Sequence, residues 1–157
     1  MLNEQLNNLA SMEQDLRTII AADPDNTAAL NALGYTLANR TTRYDEALHL
    51  ISRALVLEPD EPAILDSMGW VMFRTEQYAA SVNYLTRAYT GFPDAEVASH
   101  LGEALWAQGK TDAAMAIWQG ALLREPDHPV LLDTLDRLGI DLPAGLPPKA
   151  YPVETLP

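Results

Sequence analysis

A residue pair ending in glycine recurs in this chain about every 34 residues, and this spacing constrains the fold more than any other feature. The three copies are Leu33-Gly34, Met68-Gly69 and Leu101-Gly102. Small residues follow the glycines at matching distances, namely Ala47, Ser81 and Ala114, then Ala54, Ala88 and Ala121. Prolines close the units at Pro24, Pro59, Pro93 and Pro126. A period of this length with these residue types predicts an all-α solenoid of stacked helix-turn-helix units.

The glycine register sets the bounds of the units. Three full units are expected at residues 27–61, 62–94 and 95–128, after a truncated unit at 2–26 and before a capping helix at 129–140. The array therefore covers residues 1–141, and a proline-rich tail covers residues 142–157. Such a stack is typical of a binding surface rather than of an active site.

Each repeat glycine is expected in the middle of a first helix, where glycine costs about 1 kcal/mol relative to alanine. This cost is tolerable where the missing side chain lets a second helix approach closely. We therefore expect Ala47, Ser81 and Ala114 to form the surface that faces the glycines.

Helix starts are indicated by short polar residues whose side chains can accept hydrogen bonds from free backbone amides. These residues are Asp25 or Asn26, Asp60, Asp94 and Asp127. Pro62 and Pro129 suit the first turns of their helices, because proline has no amide hydrogen to leave unpaired.

Both ends of the array depart from the regular unit. Residues 2–7 are expected to end a first helix and residues 9–19 to form a second helix, so the chain is expected to be a fragment that starts partway through a unit. Asp136 takes the glycine position of the last helix, which predicts a capping helix with a wetter outer face. The tail is expected to be extended and loose. As alternatives, Leu142, Leu146 and Tyr151 pack back onto the last helix, or the tail is a ligand for a small recognition domain.

Composition excludes several classes of function. The net charge of −12 argues against binding to nucleic acid or to an anionic membrane, and it favours either mere solubility or a basic or neutral partner. No cysteine is present, which excludes disulfides, zinc–thiolate sites and thiol catalysis. No apolar run reaches about 18 residues, so no insertion into a membrane is expected. The first residues do not form a secretory signal, which favours a cytosolic protein or a piece of a longer one.

The chain resembles the tetratricopeptide repeat family over roughly residues 2 to 140. The matching features are the Leu-Gly pair, an aromatic residue before the second helix at Tyr44 and Tyr78, the small residues, and the closing prolines. The resemblance implies a right-handed superhelix of antiparallel helix pairs, whose first helices line a concave groove that binds peptides.

A narrower resemblance rests on residues 31–38, 43–47 and 65–70, which are similar to the C-terminal array of repeat lipoproteins of Gram-negative bacteria. Some of these lipoproteins are outer-membrane adaptors that bring substrates to a carboxyl-terminal-processing protease. The resemblance implies a location on the periplasmic side of the outer membrane; otherwise the protein is expected in the cytoplasm.

First-helix positions that point away from the second helices are expected to line the partner-binding groove. They are Asn31, Tyr35, Asn39, Asp66, Trp70, Phe73, Arg74, Ser99, Glu103, Trp106, Asp133 and Arg137. The positions that clamp a terminal carboxylate in cytosolic co-chaperones correspond here to Asn31, Tyr35, Ser67, Glu96 and His100. Glu96 would repel a carboxylate, so a chaperone-tail ligand is not expected.

Aromatic and acidic residues dominate the expected groove, which favours an apolar or basic protein segment as the partner. Trp70 and Trp106 are expected to be exposed there and to contribute about 2 kcal/mol or more each to binding, whereas Trp118 is expected in the core. His49, His100 and His128 are expected at the surface. No catalytic residue, cofactor or metal site is predicted.

Three functions remain open on the sequence alone. The leading one is a non-catalytic scaffold or adaptor that binds a protein segment in the groove. The second is glycan binding, because exposed tryptophans with carboxylates between them also suit the sugar rings of peptidoglycan. The third is self-association into a homodimer, through the groove or the N-terminal face.

Overall fold

The computed structural model describes residues 2–142, with side chains from residue 5 onward, and this part of the chain contains helices and short connections. In order, the helices are α1 Leu2–Ala22, α2 Thr27–Arg40, α3 Tyr44–Leu57, α4 Pro62–Arg74, α5 Tyr78–Gly91, α6 Ala95–Ala107, α7 Thr111–Arg124 and α8 Pro129–Leu138. The prediction of an all-α fold is confirmed.

The helices form two layers. We call α2, α4, α6 and α8 the inner helices, and α1, α3, α5 and α7 the outer helices. The helices of the pairs α2–α3, α4–α5 and α6–α7 are joined by turns of three residues and pack against each other. Cα atoms of neighbouring inner helices come within 8 Å of one another, whereas in the described range no neighbouring outer helices approach so closely. The array therefore curves with the inner helices on its concave surface.

Large side chains fill the space beside the repeat glycines. The partners are Ile51 opposite Gly34, Leu85 opposite Gly69 and Trp118 opposite Gly102. A Cβ atom at Gly34 would lie 2.5 Å from Cγ1 of Ile51, and one at Gly102 would overlap the indole of Trp118. Interiors are packed too tightly for such overlaps, so glycine is required by its partner on the outer helix.

Large residues, which were not expected there, thus join the predicted small residues opposite Gly34 and Gly69. The small residues still lie beside the contact, since the carbonyl oxygen of Ala47 is 3.1 Å from the Cβ position of Gly34. The hydroxyl of Ser81 donates to the carbonyl oxygen of Gly69 at 2.7 Å. They let the helix backbones approach, and one large residue then closes the gap.

Two of the four predicted helix caps form. Asn26 accepts from the amide of Ala29 at 2.9 Å, and Asp94 accepts from the amide of Val97 at 2.8 Å. The predicted caps at Asp60 and Asp127 are wrong, because Glu61 and His128 hold those positions without a capping side-chain bond. Each precedes a proline that is the first helical residue, as predicted, and this proline fixes the cap one residue later than expected.

The first helix differs from the prediction. Residues 2–22 form one continuous helix, so the expected separate helix at residues 2–7 is wrong. No glycine or proline interrupts the sequence before Pro24, which explains why the helix continues. Helix α1 packs against α2 in the place of an outer helix.

The last of the described helices is α8, whose Leu131 and Leu135 are buried with residues of α6 and α7. Leu142 packs against the same cluster, whereas Leu146 and Tyr151 lie outside the described residues. Asp136 is exposed. None of the described helices is both long and apolar enough to cross a membrane.

Candidate functional site

The concave surface carries a cavity of about 470 Å³ where inner helices α4 and α6 begin, which we call the acidic pocket. Its lining comes from α2, from the starts of α4 and α6, and from the end of α5. The lining residues are Asn31, Ala32, Tyr35, Glu61, Pro62, Ala63, Asp66, Ser67, Gly91, Phe92, Asp94, Glu96 and Val97. Four of them carry a carboxylate and none is lysine, arginine or histidine, so the pocket favours a cation.

The carboxylates of the acidic pocket differ in what already binds them. Asp94 caps α6. Asp66 is buried and pairs with His100. Glu96 accepts a hydrogen bond from the hydroxyl of Tyr35 at 3.1 Å, and Glu61 stands before the first residue of α4. Glu61 and Glu96 are therefore the acids with capacity left for a ligand.

His100 is the centre of a buried polar cluster. Its Nδ1 lies 2.9 Å from Oδ1 of Asp66, and its Nε2 lies 3.5 Å from the hydroxyl of Tyr35. Burial disfavours the charged imidazolium, but the nearby carboxylates of Asp66, Glu96 and Glu103 outweigh this effect and raise the pKa of His100. The expectation of a surface histidine is wrong, since His100 is 3% exposed.

Tyr35 connects this cluster to the acidic pocket. Burial and the carboxylates of Glu96 and Asp66 raise the pKa of the Tyr35 phenol far above its usual range. The phenol therefore keeps its proton and remains a donor to Glu96.

Trp70 is not exposed in the groove as predicted. It is 5% exposed, it stacks on His100 with ring centroids 4.2 Å apart, and it stacks on Phe73 at 4.9 Å. Its indole N–H donates to Asn39 at 3.2 Å. Trp106 is partly buried and packs at 5.9 Å from Trp118, which is fully buried as predicted. The pair of exposed tryptophans on which the glycan hypothesis depended is therefore not formed.

A second cavity of about 440 Å³ lies among the C-terminal halves of α2 and α4, the middle of α6 and the helix α8, and we call it the paired pocket. It is lined by Tyr35, Asn39, Trp70, Arg74, His100, Glu103, Pro129, Val130, Asp133, Thr134 and Arg137. The guanidinium of Arg137 donates two hydrogen bonds of 2.8 Å to the buried Glu103. Acids and bases are both present here, and the buried acid already has a partner.

The predicted groove residues fall into three groups. Asn31, Tyr35 and Asp66 line the acidic pocket, and Tyr35, Asn39, Trp70, Arg74, Glu103, Asp133 and Arg137 line the paired pocket. Phe73, Ser99 and Trp106 line neither. Ser99 is fully buried and donates to the carbonyl oxygen of Ala95, so its assignment to the groove is wrong.

Sequence reasoning missed Glu61, Phe92 and Asp94 as part of the concave surface. The repeat period itself was a usable signal, because residues one period apart lie side by side on neighbouring inner helices. Asp66 and His100 are 34 positions apart, as are Glu103 and Arg137. In the described range, no group of three His, Asp or Glu side chains is placed to hold a metal ion.

Comparison with known proteins gives matches over most of the chain. Two family models, both described as tetratricopeptide repeat, match residues 5–64 and 72–138. The chain is similar to a curated TPR repeat-containing protein of Pseudomonas aeruginosa, with 60% identity over 103 residues. This match covers 66% of the chain but only 18% of the relative's length.

Solved structures show the same fold at low sequence identity. A thermophilic TPR protein of Thermus thermophilus has a TM-score of 0.72 and 19% identity, with 87% of this chain and 76% of that one covered. The protein MamA has a TM-score of 0.64 and 18% identity, with 87% and 82% covered. The predicted right-handed solenoid of antiparallel helix pairs is thereby confirmed.

Proposed function

The chain belongs to the tetratricopeptide repeat family, and from that premise we propose that it is a scaffold whose concave surface holds an apolar and basic segment of a partner protein. Proteins of this family are generally non-catalytic and bind other proteins. The observation that carries the proposal is the acidic pocket, which combines four carboxylates with apolar walls and has no basic side chain in its lining. A segment with both apolar and cationic side chains complements this surface.

We further propose a narrower role as an adaptor that delivers substrates to a carboxyl-terminal-processing protease on the periplasmic side of the outer membrane. The support is the resemblance of residues 31–38, 43–47 and 65–70 to repeat lipoproteins of the Gram-negative envelope. The curated relative of Pseudomonas aeruginosa, a Gram-negative bacterium, fits this origin.

The scaffold proposal is tested by site-specific photo-crosslinking in cells that produce the protein. Ala32→p-benzoylphenylalanine places the probe in the acidic pocket, where Ala32 is exposed. Val56→p-benzoylphenylalanine is the matched control, because Val56 is 83% exposed on the outer helix α3. We expect partner proteins to be captured at position 32 and not at position 56. Identical adducts at both positions, or none at position 32, would contradict the proposal.

The adaptor role is tested with the proteins captured at position 32. A strain that lacks the scaffold should accumulate them to the same level as a strain that lacks the protease. Accumulation in the protease-deficient strain alone would exclude the adaptor role and leave the scaffold proposal intact.

A further inference from the structure

We propose that the acidic pocket is the subsite for one arginine side chain of the bound partner segment. This inference rests on the proposed function, because it names the side chain that the concave surface selects.

The shape of the acidic pocket suits a long side chain with a charged end. Pro62, Phe92 and Val97 provide apolar walls, and Phe92 is 58% exposed at the end of α5. Such walls cover the methylene stem of an arginine, and the exposed aromatic ring of Phe92 offers a face for stacking of the guanidinium. The volume of about 470 Å³ is sufficient for one side chain and adjoining backbone.

The charges of the acidic pocket are positioned for a cation. Glu96 is held by the Tyr35 hydroxyl at 3.1 Å, which fixes its carboxylate without neutralising it. Asp66 is already paired with His100, so it is less available to a ligand. The remaining negative charge on Glu61 and Glu96 is not matched by any basic side chain in the lining.

The walls and acids of the acidic pocket favour arginine over lysine. The ring of Phe92 is exposed beside the unmatched carboxylates of Glu61 and Glu96 in the lining. A guanidinium has five N–H donors in a planar arrangement, so it can stack on an aromatic ring while it donates to a carboxylate, whereas an ammonium is a compact point charge.

The probe is the tripeptide acetyl-Leu-Arg-Leu-amide, titrated into the full 157-residue chain while backbone amide shifts are followed by NMR. We expect the shifts to concentrate at residues of the acidic pocket such as Ala63 and Glu96. Acetyl-Leu-citrulline-Leu-amide has the same shape without the charge, and we expect about tenfold weaker binding. The lysine tripeptide should bind more weakly than the arginine tripeptide.

The matched variants are Glu96→Gln and Asp136→Asn. Glu96→Gln should weaken binding of the arginine peptide about fivefold or more and leave citrulline binding unchanged. Asp136→Asn removes an exposed carboxylate on α8, outside the pocket, and should change neither.

Three results would overturn the inference. They are equal binding of arginine and citrulline peptides, binding of the lysine peptide as tight as that of the arginine peptide, and shifts confined to the paired pocket. Equally tight binding of a citrulline peptide with a free N-terminal amine would assign the pocket to chain termini instead. If the p-benzoylphenylalanine probe at position 32 still captures partner proteins in any of these cases, the arginine subsite fails and the scaffold proposal stands.

Discussion

The interface between inner and outer helices repeats from unit to unit, whereas the contacts on the concave surface do not. At the interface, each unit places a glycine against one large residue: Gly34 against Ile51, Gly69 against Leu85 and Gly102 against Trp118. On the concave surface, the contacts differ from one another: Tyr35 of α2 with Glu96 of α6, Asp66 of α4 with His100 of α6, and Glu103 of α6 with Arg137 of α8. The first set solves one packing problem three times, and the second set joins different units with different chemistry.

This difference indicates where the chain can specialise. A change at the interface disturbs a contact that holds a helix pair together, so it acts on stability. A change on the concave surface alters a contact between units and can also change what the surface binds.

The largest loss of stability is expected from Trp118→Ala. The Trp118 side chain is fully buried between α7 and α6, and its removal leaves a large cavity. We expect the free energy of unfolding to fall by about 4 kcal/mol, measured by urea denaturation with circular dichroism. Phe92→Ala, at an exposed aromatic ring, is the control and should cost about 0.5 kcal/mol or less.

A double-mutant cycle with Gly102→Ala sharpens this result. In the wild-type background the new Cβ overlaps the Trp118 indole, so Gly102→Ala should destabilise by about 1–3 kcal/mol. In the Trp118→Ala background the overlap is gone, and the same change should be neutral or stabilising, by about 1 kcal/mol at most. If Gly102→Ala changes the free energy of unfolding with the same sign in both backgrounds, then the bulk of Trp118 is not the reason that position 102 requires glycine.

The second prediction challenges the separation of the two regions. Trp70 lies on the concave side but is buried and stacked on His100 and Phe73. We expect Trp70→Ala to lower the free energy of unfolding by about 3 kcal/mol in the same denaturation assay. Trp106→Ala, at a partly buried position, should lower the free energy of unfolding by about 1 kcal/mol less than Trp70→Ala does. If Trp70→Ala leaves stability unchanged, Trp70 acts only in binding, as the sequence alone suggested.

The fold was predictable from the sequence to the extent that it repeats. The glycines, small residues and prolines recur in phase, and they led to the helix pairs and to the buried position of Trp118. The single helix α1 was not predicted, because one incomplete unit has no second copy against which its register can be checked.

The concave surface was less predictable, because the side chains there are set by neighbouring units. Helical spacing placed Trp70 and Ser99 on the groove side, but α6 supplies His100 as a stacking partner that buries Trp70. The period predicts which positions lie side by side, such as Asp66 and His100. It does not predict which of those positions remain exposed, since this depends on the size of the side chains packed around them.

The third prediction uses the pH dependence of the concave cluster. The pKa of His100 is raised from its ordinary value of 6.5 by Asp66, Glu96 and Glu103 despite burial, and the Tyr35 phenol and the Trp70 ring also face it. The resulting stabilisation is fully present below pH 6.5 and is lost as the pH rises through the folded-state pKa of His100. We expect Asp66→Asn to cost about 1–2 kcal/mol at pH 6 and less at higher pH, measured by denaturation across this range.

The control for this prediction is His49→Gln, at an exposed histidine on α3. It should change the free energy of unfolding by about 0.5 kcal/mol or less. If Asp66→Asn costs the same at pH 6 and well above the folded-state pKa, the carboxylate acts only through packing and not through the charge of His100.

The smallest effect is expected from the ion pair that joins α6 to α8. Glu103 is buried, whereas the Arg137 side chain is 50% exposed, so water screens part of the attraction. Arg137→Met keeps the apolar stem and removes the charge, which should lower the free energy of unfolding by about 1 kcal/mol, because Glu103 loses its partner. In a Glu103→Gln background the same change should cost a few tenths of a kcal/mol, and denaturation of the four proteins gives the coupling. A coupling energy near zero would show that the Glu103–Arg137 pair contributes no more to stability than an exposed surface ion pair does. A coupling of about 1 kcal/mol would show that contacts between units help to hold the array, although their chemistry differs from one pair of units to the next.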